Sequence, residues 1–301
     1  MNSKQLQYVL VLAREGSFSQ AAEILHISQP SLSQYIKKIE NKIGLELFDR
    51  TNGDVRITDA GRVYIEASRK ILDIEHQMEN AFADLAANKK GALIIGTSPY
   101  RSAVMMPLIA KRFQAMYPGM HLIVREGTTT ELVEGLEHGE FDLALTMLPF
   151  DTRRFCFKKV VDEELLLAVP GKYPLLSSQV LSNRKYSAIH LAGLDGQQMV
   201  MLTDTQFMQK QLEALRLDYH LSIRPAAVVK SLEAQIQMVK AGVGMALVPS
   251  GIERFCENGE VTFYSFVEEL PCREVVVVWR REQKLSKVAE ELKAVICSIP
   301  W

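Results

Sequence analysis

Apolar residues recur at helical spacing in three successive segments near the N-terminus. The first segment, 4–15, carries one apolar stripe and ends at Gly16. The second, 19–25, has Ser19 as its predicted N-cap. The third begins at a Ser28 cap and presents a single stripe, made of Leu32, Ile36, Ile39 and Ile43. This pattern predicts three short helices, with a tight turn between the second and the third.

The opposite face of the third helix is polar, and its character changes along its length. Short hydrogen-bonding groups come first and cations follow, in the order Gln29, Ser31, Ser33, Gln34, Lys37, Lys38 and Asn41. Pro30 suits the first helical turn and Gly44 suits a left-handed C-cap. Amide and hydroxyl groups can hydrogen-bond to base edges in a major groove, and lysines farther along the helix can bind the phosphates of the DNA backbone. An ordinary solvated helix face is the alternative, since such patterns also arise by chance.

A short hairpin is predicted directly after the third helix. Segment 47–58 is typical of two strands around a turn centred on Asn52-Gly53. A hairpin in this position is the wing of a winged helix. Arg50 and Arg56 flank the turn, where they are placed to reach the DNA backbone or the minor groove.

Residues 6–62 closely resemble the N-terminal domain of LysR-type transcriptional regulators. The matching stretches are F-x-x-A-A-x-x-L from Phe18, S-Q-P-S-L-S from Ser28, I-x-x-I-E-x-x-I-G from Ile36, L-F-D-R from Leu47 and I-T-D-A-G from Ile57. The resemblance implies that residues 1–58 form a winged helix-turn-helix domain that binds double-stranded DNA. Bases would be faced by Gln29, Pro30, Ser31, Ser33 and Gln34, and phosphates would be held by Lys37, Lys38, Arg50 and Arg56.

A long helix is predicted from residue 59 to about residue 88, followed by a hinge, so that 59–90 form a linker. Its apolar positions make an unbroken heptad seam, namely Ala60, Tyr64, Ala67, Ile71, Ile74, Met78, Ala81 and Leu85. A helix of about 30 residues spans about 45 Å, too long to bury its stripe on a small domain. We expect a second copy of the chain to bury this seam. The predicted dimer contacts are Tyr64, Ala67, Ile71, Ile74, Met78 and Leu85. Packing against the C-terminal part is the alternative.

From residue 92 onward, short apolar strands alternate with helices, which indicates two α/β lobes built on parallel sheets. Further stretches resemble the effector-binding half of the same regulators, which itself resembles periplasmic solute-binding proteins. They include Gly91-x-Leu93-x-Ile95-Gly96, Leu136-x-x-Gly139-x-x-Asp142 and Gly242-x-Gly244-x-Ala246-x-x-Pro249. The resemblance places an effector-binding domain at 91–301. Within it, lobe one covers about 92–165 and 267–301, and lobe two covers about 166–266.

Hydroxyl side chains recur where the predicted strands end, which is where open α/β sheets bind ligands. They are Thr97, Ser98, Thr128, Thr129 and Thr146 in lobe one and Thr203 in lobe two. Hydroxyls beside free N–H groups at helix starts suit an anion, so an organic acid anion is one candidate effector. Arg101 is a candidate counter-charge. Helix capping is the commoner role for any one of these hydroxyls.

Other classes of site find little support in the sequence. Four widely spaced cysteines without a C-x-x-C pair argue against disulfides, a zinc cluster and a peroxide-sensing pair. The chain has no G-x-S-x-G or H-E-x-x-H motif, and Gly242-Val243-Gly244 lacks the third glycine of a dinucleotide loop. We therefore expect no metal, no cofactor and no enzymatic activity. Without a signal peptide or a run of about 18 apolar residues, we expect a cytoplasmic protein away from membranes.

The net charge of −1 does not by itself indicate a nucleic-acid binder. Residues 1–58 hold seven cations against six anions, so the electrostatic footprint must be local, which favours DNA binding as an oligomer. The sequence predicts an effector-responsive transcription regulator that works as a homodimer or homotetramer, with RNA polymerase as a further candidate partner. An enzyme with a fused DNA-binding head would turn over a small molecule without DNA. A solute-binding protein would have a signal segment and no wing.

Overall fold

The computed structural model describes residues 3–50, 55–85, 91–174, 177–204, 207–270 and 272–301. Its N-terminal domain consists of three helices and a two-stranded wing: α1 (Ser3–Glu15), α2 (Phe18–Ile24), α3 (Gln29–Ile43), β1 (Phe48–Asp49) and β2 (Arg56–Ile57). Leu12, Leu32 and Ile36 are fully buried between the helices. One face of α3 therefore holds the domain together, and the other is left to solvent.

The ends of α2 and α3 show how local sequence sets the turn between them. Ser28 Oγ accepts the Ser31 N–H, and Gly44 ends α3 in the left-handed region at φ 79°. The predicted Ser19 cap is wrong, because Ser17 caps α2 by accepting the Gln20 N–H. Ile43, predicted in the apolar stripe, is exposed at the end of α3. The wing turn at Asn52-Gly53 lies outside the described residues.

The linker is a single helix, α4 (Asp59–Leu85), of 27 residues. Helix α1 packs along it, and Ser3 Oγ donates a hydrogen bond to Glu75. At its start, Ala60 and Tyr64 pack on the core of the N-terminal domain, so Tyr64 is half-buried by its own chain. Other apolar side chains of α4 face solvent; the exposed stripe consists of Val63, Ile71, Ile74, Met78 and Phe82. The predicted hinge at 86–90 lies outside the described residues.

Lobe one is built on a five-stranded sheet in the order β4-β3-β5-β13-β6. The strands are β3 (Gly91–Thr97), β4 (Met120–Glu126), β5 (Leu143–Met147), β6 (Phe155–Glu163) and β13 (Arg273–Arg280). The prediction of a purely parallel sheet is wrong, because β13 runs antiparallel to both β5 and β6. The helices are α5 (Pro99–Val104), α6 (Met106–Met116), α7 (Thr129–Glu137) and α10 (Lys287–Ser298).

Lobe two holds a four-stranded sheet in the order β11-β7-β12-β8 and a parallel pair, β9 with β10. The strands are β7 (Leu165–Pro170), β8 (Ala188–Ile189), β9 (Gln198–Leu202), β10 (Arg224–Val229), β11 (Ala246–Pro249) and β12 (Val261–Phe266). Helices α8 (Phe207–Asp218) and α9 (Leu232–Lys240) pack on them. The chain passes between the lobes twice, from β6 to β7 and from β12 to β13. The two-lobed α/β architecture predicted from the sequence is confirmed.

Candidate functional site

The polar face of α3 is open to solvent in the part of the chain that the structure describes. The side chains that the sequence predicts for base contact fall into two groups. Gln29, Pro30 and Gln34 are exposed, while Ser31 and Ser33 are half-buried. The Ser28 and Ser31 hydroxyls lie 2.8 Å apart, so Ser31 belongs to the cap as well as to the exposed face. Lys37 and Lys38 are both exposed one turn farther along.

Arg50 occupies a position that its sequence context did not predict. Its Nη2 lies 3.1 Å from Glu40 Oε2, its Nη1 donates to Ser33 Oγ at 3.3 Å, and its guanidinium lies 4.7 Å from the Phe18 ring centre. These contacts orient Arg50 against α3, and its side chain remains 39% exposed, so its role in phosphate binding stays a prediction. Arg56, on β2, is exposed.

Glu40 is the residue of the DNA-binding domain that the sequence reasoning missed. It is buried, and its Oε1 accepts the N–H groups of Leu47 and Phe48 at 2.9 and 3.3 Å. A buried carboxylate is stable only when it is paired and hydrogen-bonded. Glu40 meets both conditions, and it thereby fixes the start of the wing relative to α3. The sequence did offer a signal for Glu40, because a charged residue at this position falls on the buried side of the predicted third helix.

The hydroxyls predicted to bind the effector gather at one edge of the lobe-one sheet, because β4, β3 and β5 are adjacent and parallel. Thr146 Oγ1 donates to Thr129 Oγ1 at 3.4 Å. Thr97 and Thr146 are, however, almost fully buried, and Thr97 Oγ1 donates to the Leu145 carbonyl at 2.9 Å. The Thr97 hydroxyl thus has an acceptor within its own chain, and its contact with an effector stays a prediction.

Capping, the commoner role, accounts for two of the remaining hydroxyls. Ser98 Oγ accepts the Arg101 N–H at the start of α5, and Thr128 forms a capping box with Glu131 at the start of α7. Ser98 remains half-buried and Thr128 exposed. Thr129 and, in lobe two, Thr203 are also half-buried. The solvent-accessible members of the predicted set are thus Ser98, Thr128, Thr129 and Thr203.

Arg101 belongs to a buried cluster of charges at the boundary between the lobes. Its Nη2 lies 2.9 Å from Glu163 Oε2, and Arg273 Nη1 lies 3.8 Å from the same oxygen. The pKa of Arg273 is lowered to about 10, mainly by burial and, against the opposite effect of the Glu163 charge, by the neighbouring Arg101. Burial also raises the pKa of Tyr100, with the Glu163 charge as a second cause. Arg101 is therefore not an exposed counter-charge, and Glu163 and Arg273 were missed because they lie far apart in the sequence.

A second contact joins α4 to lobe one. Arg280, at the end of β13, places Nη1 and Nη2 at 2.6 and 2.7 Å from the two carboxylate oxygens of Asp73. Arg69 Nη1 lies 3.2 Å from both ring nitrogens of His138, and the pKa of His138 is lowered by burial and, next, by Arg69. A cleft of about 780 Å³ lies beside these contacts. A polar face of the linker thus docks on the C-terminal domain, while the apolar stripe, which the alternative interpretation placed against that domain, stays exposed.

The thiols show no arrangement typical of redox chemistry. Cys156, Cys256, Cys272 and Cys297 are all free. Burial raises the pKa of Cys256 and of Cys297, which lowers their thiolate fraction and hence their reactivity. Among the described residues, no group of histidine, cysteine and carboxylate side chains could hold a metal ion. No helix in the described part is long and apolar enough to cross a membrane.

Two family models match the chain over adjoining stretches. Residues 3–62 match the family described as bacterial regulatory helix-turn-helix protein, lysR family, and residues 86–297 match the LysR substrate binding domain. The chain belongs to the LysR family. This LysR-family member is therefore a transcriptional regulator and not an enzyme. It binds DNA through its helix-turn-helix domain and carries a domain for a small-molecule effector.

Relatives of this LysR-family regulator cover almost its whole length. The DNA-binding transcriptional dual regulator OxyR of Escherichia coli K12 is 26% identical over 297 residues, covering 98% of this chain and 95% of that protein. A probable RuBisCO transcriptional regulator of Phaeodactylum tricornutum is 25% identical over 292 residues, covering 95% of this chain and 93% of that protein.

Solved structures share the fold. A full-length OxyR variant from Pseudomonas aeruginosa matches with a TM-score of 0.66 at 25% identity, covering 99% of this chain and 93% of that one. Full-length CbnR in complex with its target DNA matches with a TM-score of 0.65, covering 98% of this chain and 100% of that one. At 21% identity, the CbnR match shows a common fold alone.

Proposed function

We propose that this LysR-family regulator reads its operator with the N-terminal half of α3, using Gln29, Ser31 and Gln34 toward bases and Lys37 and Lys38 toward phosphates. The observation that carries the proposal is the division of α3 into two faces. Leu32, Ile36 and Ile39 are buried, while the amide and lysine side chains between them face solvent. A helix held in this way can enter a major groove without losing any core contact.

The proposed effector is an organic acid anion held between the lobes. Ser98, Thr129 and Thr203 support this proposal, because each is a half-buried hydroxyl residue that follows a strand. Ser98 also follows β3 directly, at the edge of a mostly parallel sheet where α/β proteins bind small molecules. A ligand there would act by preferring one arrangement of the lobes over another.

The proposed assembly is a homodimer through α4, with pairing of dimers into a homotetramer as the next level. The exposed stripe on α4 supports it, because Ile74 and Phe82 are 65% and 60% exposed in the single chain. Exposed apolar patches of this kind mark protein interfaces. A cytoplasmic location, where operator DNA is accessible, and contact with RNA polymerase complete the proposal.

Selection of binding sites from a random DNA pool by the purified full-length protein tests the DNA-binding part. We expect a paired motif, with one half-site for each chain of a dimer. The double variant Gln29→Ala, Gln34→Ala should lose the enriched motif. Gln237→Ala, which alters an exposed glutamine on α9, is the matched control and should keep it. Failure of the wild-type protein to enrich any sequence would overturn the proposal.

A further inference from the structure

The contact between α4 and lobe one contains many ionisable side chains. Lobe one contributes His138, the C-cap residue of α7, and helix α4 contributes Arg69 and Asp73. The other charged groups that act on His138 or line the same cleft are Glu134, Glu137 and Glu140 from α7 and the residues after it, Glu66 and Lys70 from α4, and Arg154, Arg280 and Glu282 beside the ends of β6 and β13. Among these described side chains, His138 alone has an ordinary pKa, about 6.5, that lies near neutral pH.

The hydrogen bond between Arg69 and His138 requires a neutral imidazole. Arg69 Nη1 lies 3.2 Å from Nδ1 and from Nε2 of the His138 ring. A guanidinium group only donates hydrogen bonds, and a neutral imidazole has one nitrogen that accepts, whichever tautomer is present. An imidazolium has no accepting nitrogen and carries the same charge as the guanidinium. Protonation of His138 would therefore replace an attractive contact by a repulsive one.

Acidic neighbours oppose this repulsion but do not outweigh it. Glu140 Oε1 lies 3.9 Å from Arg69 Nε, and the charges of Glu140 and Glu134 both raise the pKa of His138. Burial and the Arg69 charge lower that pKa by more, so the net shift is downward. Burial penalises the charged imidazolium because it loses hydration, and the Arg69 charge adds repulsion. The docked arrangement thus favours the neutral form of His138.

The residue after His138 fits directly against the linker helix. Gly139 adopts a left-handed conformation at φ 73°, and a Cβ atom at this position would overlap the Asp73 carboxylate. The same carboxylate accepts two hydrogen bonds from Arg280, at 2.6 and 2.7 Å. A displacement of His138 away from Arg69 would therefore also disturb the pair between Asp73 and Arg280. The cleft of about 780 Å³, which His138 helps to line, gives water access to this contact.

We infer that His138 is a pH-dependent switch for the linker helix: the neutral ring accepts a hydrogen bond from Arg69 and holds α4 on lobe one, and the protonated ring repels Arg69 and releases α4. The switch couples the position of the N-terminal domain to pH, because α4 packs on that domain through Ala60 and Tyr64. It involves neither the effector nor the bases of the operator, so it goes beyond the proposed function.

The direction of the pKa shift sets the pH range in which the switch works. The pKa of His138 is lowered in the docked arrangement, first by burial and then by Arg69, and it returns toward its ordinary value of about 6.5 when α4 is released. Docking is therefore fully stabilised above about pH 6.5. Below that pH the released state binds more protons than the docked state, so docking weakens until the pH reaches the lowered pKa. Each unit between the two pKa values corresponds to about a tenfold change in the docking equilibrium.

Native-state hydrogen exchange of the full-length protein at about pH 7.5 and about pH 5.5 tests the inference, with each rate compared with the intrinsic rate at the same pH. We expect the protection of α4 amides around Arg69 and Asp73 to fall about tenfold at the lower pH, while β3 and β5 keep theirs. His138→Gln keeps an acceptor and gains no proton, so its α4 protection should be equal at both pH values. His190→Gln, which removes an exposed histidine paired with Glu268 in lobe two, is the matched control and should respond as the wild type does.

Equal protection of α4 at the two pH values in the wild type would overturn the inference. A fall of the same size in His138→Gln would also overturn it, because another group would then be responsible. If His138→Gln does not fold, a proton NMR titration of His138 decides. The pKa of His138 should rise toward its ordinary value in Arg69→Gln, because the repelling charge is gone. An unchanged pKa would show that Arg69 does not sense the charge of the ring, and the inference would fall.

Discussion

Replacing Asp73 by asparagine should loosen the contact between the linker helix and lobe one. Asp73 and Arg280 make two short hydrogen bonds, and their side chains are only 11% and 16% exposed. Removing one partner of a fully buried pair costs about 3–5 kcal/mol. Asparagine keeps one acceptor oxygen, and the pair retains some hydration, so we expect about 2 kcal/mol. That value corresponds to about a thirtyfold increase in local opening of the contact.

Native-state hydrogen exchange is the appropriate assay, because it reports local opening separately from global unfolding. The amides of α4 around Asp73 and of the end of β13 should exchange about thirty times faster in Asp73→Asn. The matched control is Asp151→Asn, which breaks a similar aspartate–arginine pair whose side chains are 56% and 87% exposed. Such a surface pair contributes little, so exchange should not change. Equal protection of α4 in wild type and Asp73→Asn would refute the reasoning.

Three further predictions concern the DNA-binding end and the dimer. Ile71→Asp together with Ile74→Asp should give monomers in ultracentrifugation, since charge would be buried at the α4 stripe; an intact dimer contradicts this. Gln34→Arg should shift the preference at one half-site position from A·T toward G·C by about 1–3 kcal/mol. Lys37→Ala should instead weaken the binding of all DNA sequences alike and lower the slope of log affinity against log salt concentration by about one. Identical motifs selected by wild type and Gln34→Arg rule out base reading by Gln34. Glu40→Gln should lower the melting temperature, because the charge-assisted pair between the buried Glu40 and the partly exposed Arg50 is lost; an unchanged melting temperature argues against that role.

The parts of the fold that the sequence predicted well are those fixed by local rules. The Ser28 cap, the Gly44 stop and the long helix α4 follow from side chains close in sequence, and the structure contains all three. The apolar strands of both lobes were also recognisable, because their buried runs carry no competing pattern. Strand β6 was missed, since Lys158 and Lys159 interrupt its apolar alternation at the edge of the sheet.

The parts that were not predicted depend on contacts between distant segments. Tyr64 fits the heptad seam, yet α4 begins against the N-terminal domain, which half-buries that position. The charge cluster needs Arg101, Glu163 and Arg273 together, and no spacing rule relates residues from α5, β6 and β13. The direction of β13 in the sheet is likewise set by the long return from lobe two. Local patterning gives elements and caps, whereas the pairing of buried charges requires the tertiary structure.

Because α4 docks on lobe one at Asp73, a tilt of the linker helix about this contact moves the N-terminal end of the helix. From Asp73 to the start of the helix at Asp59, the rise of 1.5 Å per residue gives a distance of about 21 Å. A tilt of about 10° at Asp73 would displace Asp59 by about 3.6 Å, which is close to the 3.4 Å step between base pairs. Because Ala60 and Tyr64 pack on the core of the N-terminal domain, that domain would move together with this end of α4. A tilt of about 10° would therefore shift the recognition helix by about the distance between two base pairs.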